Sequence, residues 1–378
     1  MPSAGRIALA AVLVAGTGAG ATDVVRPASY RLPPLLAQLF AAGRTQFEAV
    51  ETPASGLGPV FNATSCAACH ARPTSGGSSA VSVTRFGRDG PGGFDPMADE
   101  GGPVVEEKGI VTDTCAVPGE TVPPDATIVT KRNTPPLFGL GLVDTIPDRA
   151  ILRLARSAPR PDGVIGRPNL VHGRVGRFGW KAQVVTLRQF TASAYLNELG
   201  VTSPDFPSDV PPQGRVVLCD PAADPEDDGT RIDAVTRFLL LLAPPPIATG
   251  IPAVRAGRVA FREVGCETCH TTRLRVGPTH PLAAVRGRRI PMFSDLLLHD
   301  MGSALADGIA QGFATGADFR TPPLWGVRDS APYLHDGRAA TLEDAIALHG
   351  GEGEVARQRF LALPADREAA LLAFLRVI

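Results

Sequence analysis

The sequence predicts a mainly α fold of two related units in tandem, with long loops, the first unit enlarged by an insertion. Three observations carry this expectation. The frame Ala42-Gly43-Arg44-Thr45-Gln46-Phe47-Glu48-Ala49-Val50 returns as Ala256-Gly257-Arg258-Val259-Ala260-Phe261-Arg262-Glu263-Val264, sharing A-G-R-x-x-F-x-x-V. Each copy runs into a CxxCH segment, Cys66-Ala67-Ala68-Cys69-His70 and Cys266-Glu267-Thr268-Cys269-His270. Further on, Thr134-Pro135-Pro136-Leu137-Phe138-Gly139 is echoed by Thr321-Pro322-Pro323-Leu324-Trp325-Gly326. Matching landmarks in the same order imply a duplicated unit.

Taken in chain order, the N-terminus carries Arg6, an apolar run from Ile7 to Val14 and a small-residue ending Ala19-Gly20-Ala21. That pattern reads as a cleaved signal peptide over 1–21. The apolar run is well below the roughly 18 to 20 residues that span a bilayer, so the expectation is an exported protein of an oxidising space, most simply a bacterial periplasm. The first unit then covers 22–246. Its entry helix bears the A-G-R frame, and a closing helix places Ile232, Val235, Leu239 and Leu242 on one face. Pro244-Pro245-Pro246 cannot continue that helix and marks the boundary. The second unit, 247–378, closes on Leu371, Phe374, Leu375 and Ile378.

The 36 prolines and 41 glycines among 378 residues imply much irregular backbone, and aromatic content is only 6%. A formal net charge of −1 gives no basic footprint for nucleic acid. Loops such as Gly90-Pro91-Gly92-Gly93 enlarge the first unit between Thr74 and Gly229, with one helix expected near Asp148 to Arg156.

CxxCH is the attachment signature of a c-type haem. Two thiols three positions apart can each add to a vinyl group, and the adjoining histidine becomes the proximal iron ligand. A zinc site built from the four cysteines would leave both histidines unexplained, and a redox dithiol would want a βαβ context. The sequence therefore predicts two covalently bound haems, held by Cys66, Cys69 and His70 and by Cys266, Cys269 and His270. Each unit reads as a cytochrome c layout. Cys115 and Cys219 are left over, either joined or as two buried free thiols.

A haem that only carries electrons has both axial positions filled, whereas one that does chemistry keeps a position open. Thr341-Leu342-Glu343-Asp344 resembles a capping box, opening a helix expected to end at Gly350-Gly351. On it Leu342, Ala345, Ile346 and His349 share one face, so His349 is either a ligand or a core histidine. Met301 is the rival. Around the first motif no histidine occurs between His70 and His172. Met97, in a Gly/Pro-rich loop, reads as a surface methionine, and the first iron is expected to be open.

Phe319-Arg320-Thr321-Pro322-Pro323-Leu324, with Ala331-Pro332-Tyr333-Leu334-His335-Asp336-Gly337 and Thr341-Leu342-Glu343-Asp344-Ala345, resembles the C-terminal signature of bacterial di-haem cytochrome c peroxidases. The whole chain from about Leu32 is similar to the di-haem oxidoreductase branch of that superfamily, also labelled thiol oxidoreductases. The residues that carry this likeness include Arg132-Asn133-Thr134-Pro135-Pro136-Leu137, Gly176-Arg177-Phe178-Gly179-Trp180-Lys181-Ala182 and His299-Asp300-Met301-Gly302. The resemblance implies that His349, fourteen residues beyond His335, is the distal ligand of the electron-transferring haem. It also implies that Trp180 relays electrons between haems, against a role in packing, and that calcium is held by carboxylates such as Asp162 or Asp224 to Asp228. The family's distal glutamine and glutamate find no clear match. Glu120, Arg132, Asp144 and Asp148 are the candidate acid–base and charge-stabilising groups by proximity to the Thr134 motif.

The expected function is an oxidoreductase that takes electrons from a small periplasmic donor, a cytochrome c or cupredoxin, and reduces hydrogen peroxide at the His70 haem. Outward oxidation of a protein or organic substrate and a non-catalytic di-haem carrier are the alternatives. Superfamily members are often dimers, so a homodimer is an implied state.

Overall fold

The computed structural model describes residues 30–156, 160–247, 251–271 and 273–378. The expected signal peptide lies outside them. Ten helices are found among the described residues: α1 (Pro34–Glu48), α2 (Cys66–Cys69), α3 (Leu140–Asp144), α4 (Asp148–Arg156), α5 (Leu187–Leu199), α6 (Thr230–Leu241), α7 (Pro252–Val264), α8 (Leu342–Ala347), α9 (Glu354–Leu361) and α10 (Ala365–Leu375). No helix is long and apolar enough to cross a membrane.

The repeat read from the sequence is reproduced in the packing. Entry helix α1 crosses closing helix α6 at Gly43, where a Cβ would overlap the Ala234 carbonyl oxygen and crowd Phe238. In the second half α7 crosses α10 at Gly257, where a Cβ would overlap the Ala370 carbonyl oxygen and crowd Phe374. The aromatic of each frame packs on that same closing-helix phenylalanine, Phe47 on Phe238 with ring centroids 5.0 Å apart and Phe261 on Phe374 at 5.4 Å. The second landmark repeats too. Gly139 and Gly326 both take positive φ, and each donates its N–H to the end of its closing helix, to Leu242 O at 3.0 Å and Ile378 O at 2.8 Å.

A mainly α description understates the strands. Helix covers 35% and strand 15% of the structure, so the fold is mixed. The longest strand, Ser82–Gly90, pairs antiparallel with both Gly93–Asp95 and Ile128–Asn133. These strands fall where the insertion reads as loop. Met97, expected at the surface, is 3% exposed and packs with Phe86 and Val105 under this small sheet. Cys115 and Cys219 are joined.

The two halves share a core. Leu274, Val276, Met292, Leu296, Leu297 and Trp325 of the second half lie in one apolar cluster with Phe47, Ile151, Phe178 and Phe238 of the first. Cross-links add to it: Arg160 Nη1 donates to Asp295 Oδ2 at 2.6 Å, and Arg132 pairs with Asp307, both side chains buried.

Candidate redox centres

The two CxxCH segments are built alike. Ser65 caps the first, its Oγ accepting from Ala68 N at 3.1 Å, and in both a histidine N–H closes on the first cysteine carbonyl, at 2.9 Å for His70 and 2.8 Å for His270. The Nδ1–H of His70 faces Gly77 O at 3.1 Å, and that of His270 faces Phe293 O at 2.9 Å. A backbone acceptor on Nδ1 fixes the tautomer and leaves Nε2 with its lone pair, the arrangement an iron ligand needs. Burial pulls both imidazoles down to about 4, so both are neutral. The frame phenylalanines Phe47 and Phe261 each stand 6.4 Å from their histidine. The four CxxC cysteines are unbonded. These donors fit haem.

At the second segment a largely apolar cavity of about 260 Å³ gathers Cys266, Cys269, His270, His349, Met301 and Trp180. Helix α8 is capped by Thr341, whose Oγ1 accepts from Asp344 N at 3.0 Å. It stops at Ala347, short of the expected end. His349 turns its own N–H to Ile346 O at 3.1 Å and its Nδ1 to Ala345 O at 2.7 Å, which tightens the last turn. His349 and Met301 share one wall: His349 Cδ2 and Met301 Cε lie 3.4 and 3.5 Å from the point where a Cβ on Gly353 would stand. Beside Cys269, His299 is buried between Asp295 (3.1 Å) and Glu352 (2.7 Å). Burial opposes its charge, but the bonds to Asp295, Cys269 and Glu352 prevail and hold its pKa well above the usual histidine value.

Trp180 connects the two segments. It lines the second cavity, and its Nε1–H donates to Asn133 O at 3.3 Å. Two residues on, the Pro135 carbonyl faces the His70 ring. A single short stretch of chain thus touches both the tryptophan and the first histidine. Around it His335 stacks on Phe319 (4.1 Å) with Trp180 at its edge (6.5 Å), and Lys181 Nζ meets Asp307 at 3.1 Å and the Phe319 ring at 3.8 Å.

The sequence-predicted acid–base residues are dispersed. Arg132 is buried against Asp307 next to this path. Glu120 is buried elsewhere, its carboxylate accepting from Glu106 N and Gln213 N at 2.9 Å each. Asp148 is bound by Arg174 and Arg177, which bring its pKa down to about 2 against the opposing effect of burial. Asp144 accepts from Leu187 N at 2.8 Å at the start of α5. None of these three lines the cavity.

Of the calcium candidates, Asp162 is held by both terminal nitrogens of Arg359 (2.6 and 2.7 Å), and Asp227 caps α6 through Arg231 N and Ile232 N. Asp224 and Glu226 instead converge with Asp209 and Asp220, one ligand atom of each within 4.8 Å of the others.

Two groups at the first segment were missed. Glu198, in the last turn of α5, has its backbone carbonyl bonded to Asn62 N and Ala63 N, just before Ser65. Its carboxylate accepts from Asn62 Nδ2 at 3.3 Å and is close enough to raise the Cys69 thiol, after burial the chief influence on it. Burial lifts Glu198 to about 7, with the cation of Arg85 opposing. Arg85 is itself enclosed and brought down to about 10, chiefly by burial. The signal was available: an acid at a helix C-terminus opposes the macrodipole, and such a placement wants a reason.

Two neutral CxxCH histidines, an apolar cavity lined by His349 and Met301, and a tryptophan linked to both segments suit a di-haem redox protein. The chain belongs to the di-haem oxidoreductase family: residues 120–378 match the family described as "Di-haem oxidoreductase, putative peroxidase". Its fold is similar to solved structures of low identity. These include hydrazine synthase from Kuenenia stuttgartiensis (16% identity, 97% of this chain and 99% of that one, TM-score 0.43) and the diheme peroxidase BthA from Burkholderia thailandensis (18%, 93% and 87%, TM-score 0.44). A MauG-like protein associated with microbial copper homeostasis gives 19% identity over 95% of each chain, with a TM-score of 0.42. No curated protein matches the chain.

Proposed function

We propose that the chain is an exported peroxidase of two cytochrome c-like units, 22–246 and 247–378, each carrying one haem attached through its CxxCH cysteines. Electrons enter at the second centre from a small donor protein and cross by Trp180 and the Asn133–Pro136 stretch. At the first centre, hydrogen peroxide takes up two electrons and two protons to give two molecules of water. Haem iron supplies the electron store and the seat for peroxide. Glu198, with a pKa near neutrality, accepts the proton released as peroxide binds and returns it to the departing oxygen. Arg85 offsets the negative charge building on that oxygen. His349 would hold the iron at the second centre together with His270, with Met301 as the competing donor.

One asymmetry supports this reading above all. The His270 cavity is lined by further side chains able to bind iron, among them His349 and Met301, whereas a protonatable acid, Glu198, stands close to Cys69 with the charge of Arg85 acting on it. Optical and electron-spin spectra of the holoprotein test it. The expected result is one low-spin and one high-spin haem, the high-spin signal being lost on addition of peroxide. Two low-spin haems in every redox state, unresponsive to peroxide, would leave a plain electron carrier and sink the proposal.

A further inference from the structure

We propose that an arginine-lined groove beside the second CxxCH segment is the docking surface for the acidic face of an electron-donating protein. This rests on the reading that electrons enter at the second centre. The groove, of about 410 Å³, lies between α4 and the antiparallel ribbon Arg273–Arg275/Arg289–Pro291. Arg149, Arg153, Arg273, Arg275 and Arg289 line it, and all five are exposed.

Their charge is not answered from within the chain. Among the described residues none of the five forms an ion pair; Arg275 Nη1 donates only to Gly287 O, at 2.7 Å. The single carboxylate of α4, Asp148, is taken by Arg174 and Arg177. No Asp or Glu occurs in 149–161 or 271–294, although the whole chain is balanced at −1. Two local rules are broken together. Arg275 and Arg289 are directly opposite across the ribbon, and like charges so placed are destabilising. Arg149 and Arg153 sit four apart on one helix, where like charges also repel. Such conflicts mark a surface whose partner is external.

The placement says which partner. Arg273 follows His270 by three residues, and the strand ending at Pro291 leads to Phe293, whose carbonyl holds His270 Nδ1. A protein seated on the groove is delivered to the second centre. Complementary charge steers such encounters and raises their rate by about 10- to 1000-fold.

The test follows haem reduction in the full-length holoprotein by stopped flow. Three reductants are compared: a reduced cupredoxin with an acidic face, a reduced cytochrome c of strongly basic surface, and the neutral small molecule hydroquinone. The acidic cupredoxin should react fastest, lose rate steeply with salt, and slow about tenfold or more in Arg273→Glu/Arg289→Glu. Arg273→Lys/Arg289→Lys and Arg215→Glu, outside the groove, should keep the rate, and hydroquinone should be indifferent to every variant. A salt-independent cupredoxin rate, an unaffected double variant, or a faster basic cytochrome would overturn the proposal. So would anionic phosphatidylglycerol vesicles that bind the groove arginines more tightly than the cupredoxin does. Peroxide turnover driven by hydroquinone reports separately on the first centre, so failure there refutes the peroxidase reading without touching the docking result.

Discussion

Replacing Glu198 by glutamine should lower activity and raise stability at once. The amide can still accept from Asn62 Nδ2, so shape and hydrogen bonding are kept while the titrating proton is lost. The pKa of Glu198 is raised from 4.5 to about 7 by burial, which corresponds to about 3 kcal/mol. The sign follows from linkage: a carboxyl group with a raised folded pKa is most favourable below its unfolded pKa, and its contribution is lost as pH rises to the folded value. The difference between variant and parent should therefore be near zero at pH 4.5, grow up to pH 7 and stay flat above. At pH 8 the melting midpoint of Glu198→Gln should be higher by about 6 to 12 °C, given about 2–4 °C per kcal/mol for a domain of 150–250 residues. Peroxide turnover at the same pH should fall by about 10²- to 10⁴-fold, the usual loss when a general acid–base group is removed. The assays are thermal melts of holoprotein from pH 4.5 to 8.5 and steady-state peroxide reduction with hydroquinone. A pH-independent stability difference, or turnover within threefold of the parent, would refute the assignment.

Other perturbations test the frame around this site. Gly43→Ala and Gly257→Ala should each destabilise the fold by about 1 to 3 kcal/mol in denaturant titrations, because the added methyl overlaps a facing carbonyl; a stabilised variant would mean the helices can part freely. Asp307→Asn leaves Arg132 and Lys181 buried without their counter-charge and should cost about 3 to 5 kcal/mol, read as a drop in denaturation midpoint. His349→Ala should convert the second haem to high spin in the reduced optical spectrum, while Met301→Leu should leave it low-spin; the reverse outcome transfers the ligand role to Met301.

The parts legible in the sequence were those with local signatures. The A-G-R-x-x-F frames encode a glycine that admits a closing helix and a phenylalanine beside the CxxCH histidine, and both recur in space. Thr341 announced α8, whereas His349, expected on that helix, lies just past its end and still lines the cavity. What sequence concealed depends on distant contacts. Glu198 lies 128 residues beyond His70 and reaches the first centre only because α5 docks on Asn62 and Ala63. Glu120 and Asp148 were chosen by closeness along the chain, which says little about closeness in space within a large insertion. The sheet of Ser82–Gly90 was missed because Gly87 and Gly90 interrupt its alternation and read as loop. Met97 followed the same error.

Trp180 belongs to the first half of the chain, yet it walls the cavity at His270, and six apolar residues of the second half complete the core of the first. The triple proline therefore punctuates the sequence without dividing the machine. A fragment of 247–378 would carry a full CxxCH segment and His349 and still lack one wall of its own cavity. Neither half is independent of the other. Inherited change in one half is then answerable to the other, and a chimaera that exchanged whole halves between relatives would have to carry the Trp180 segment along with the second centre.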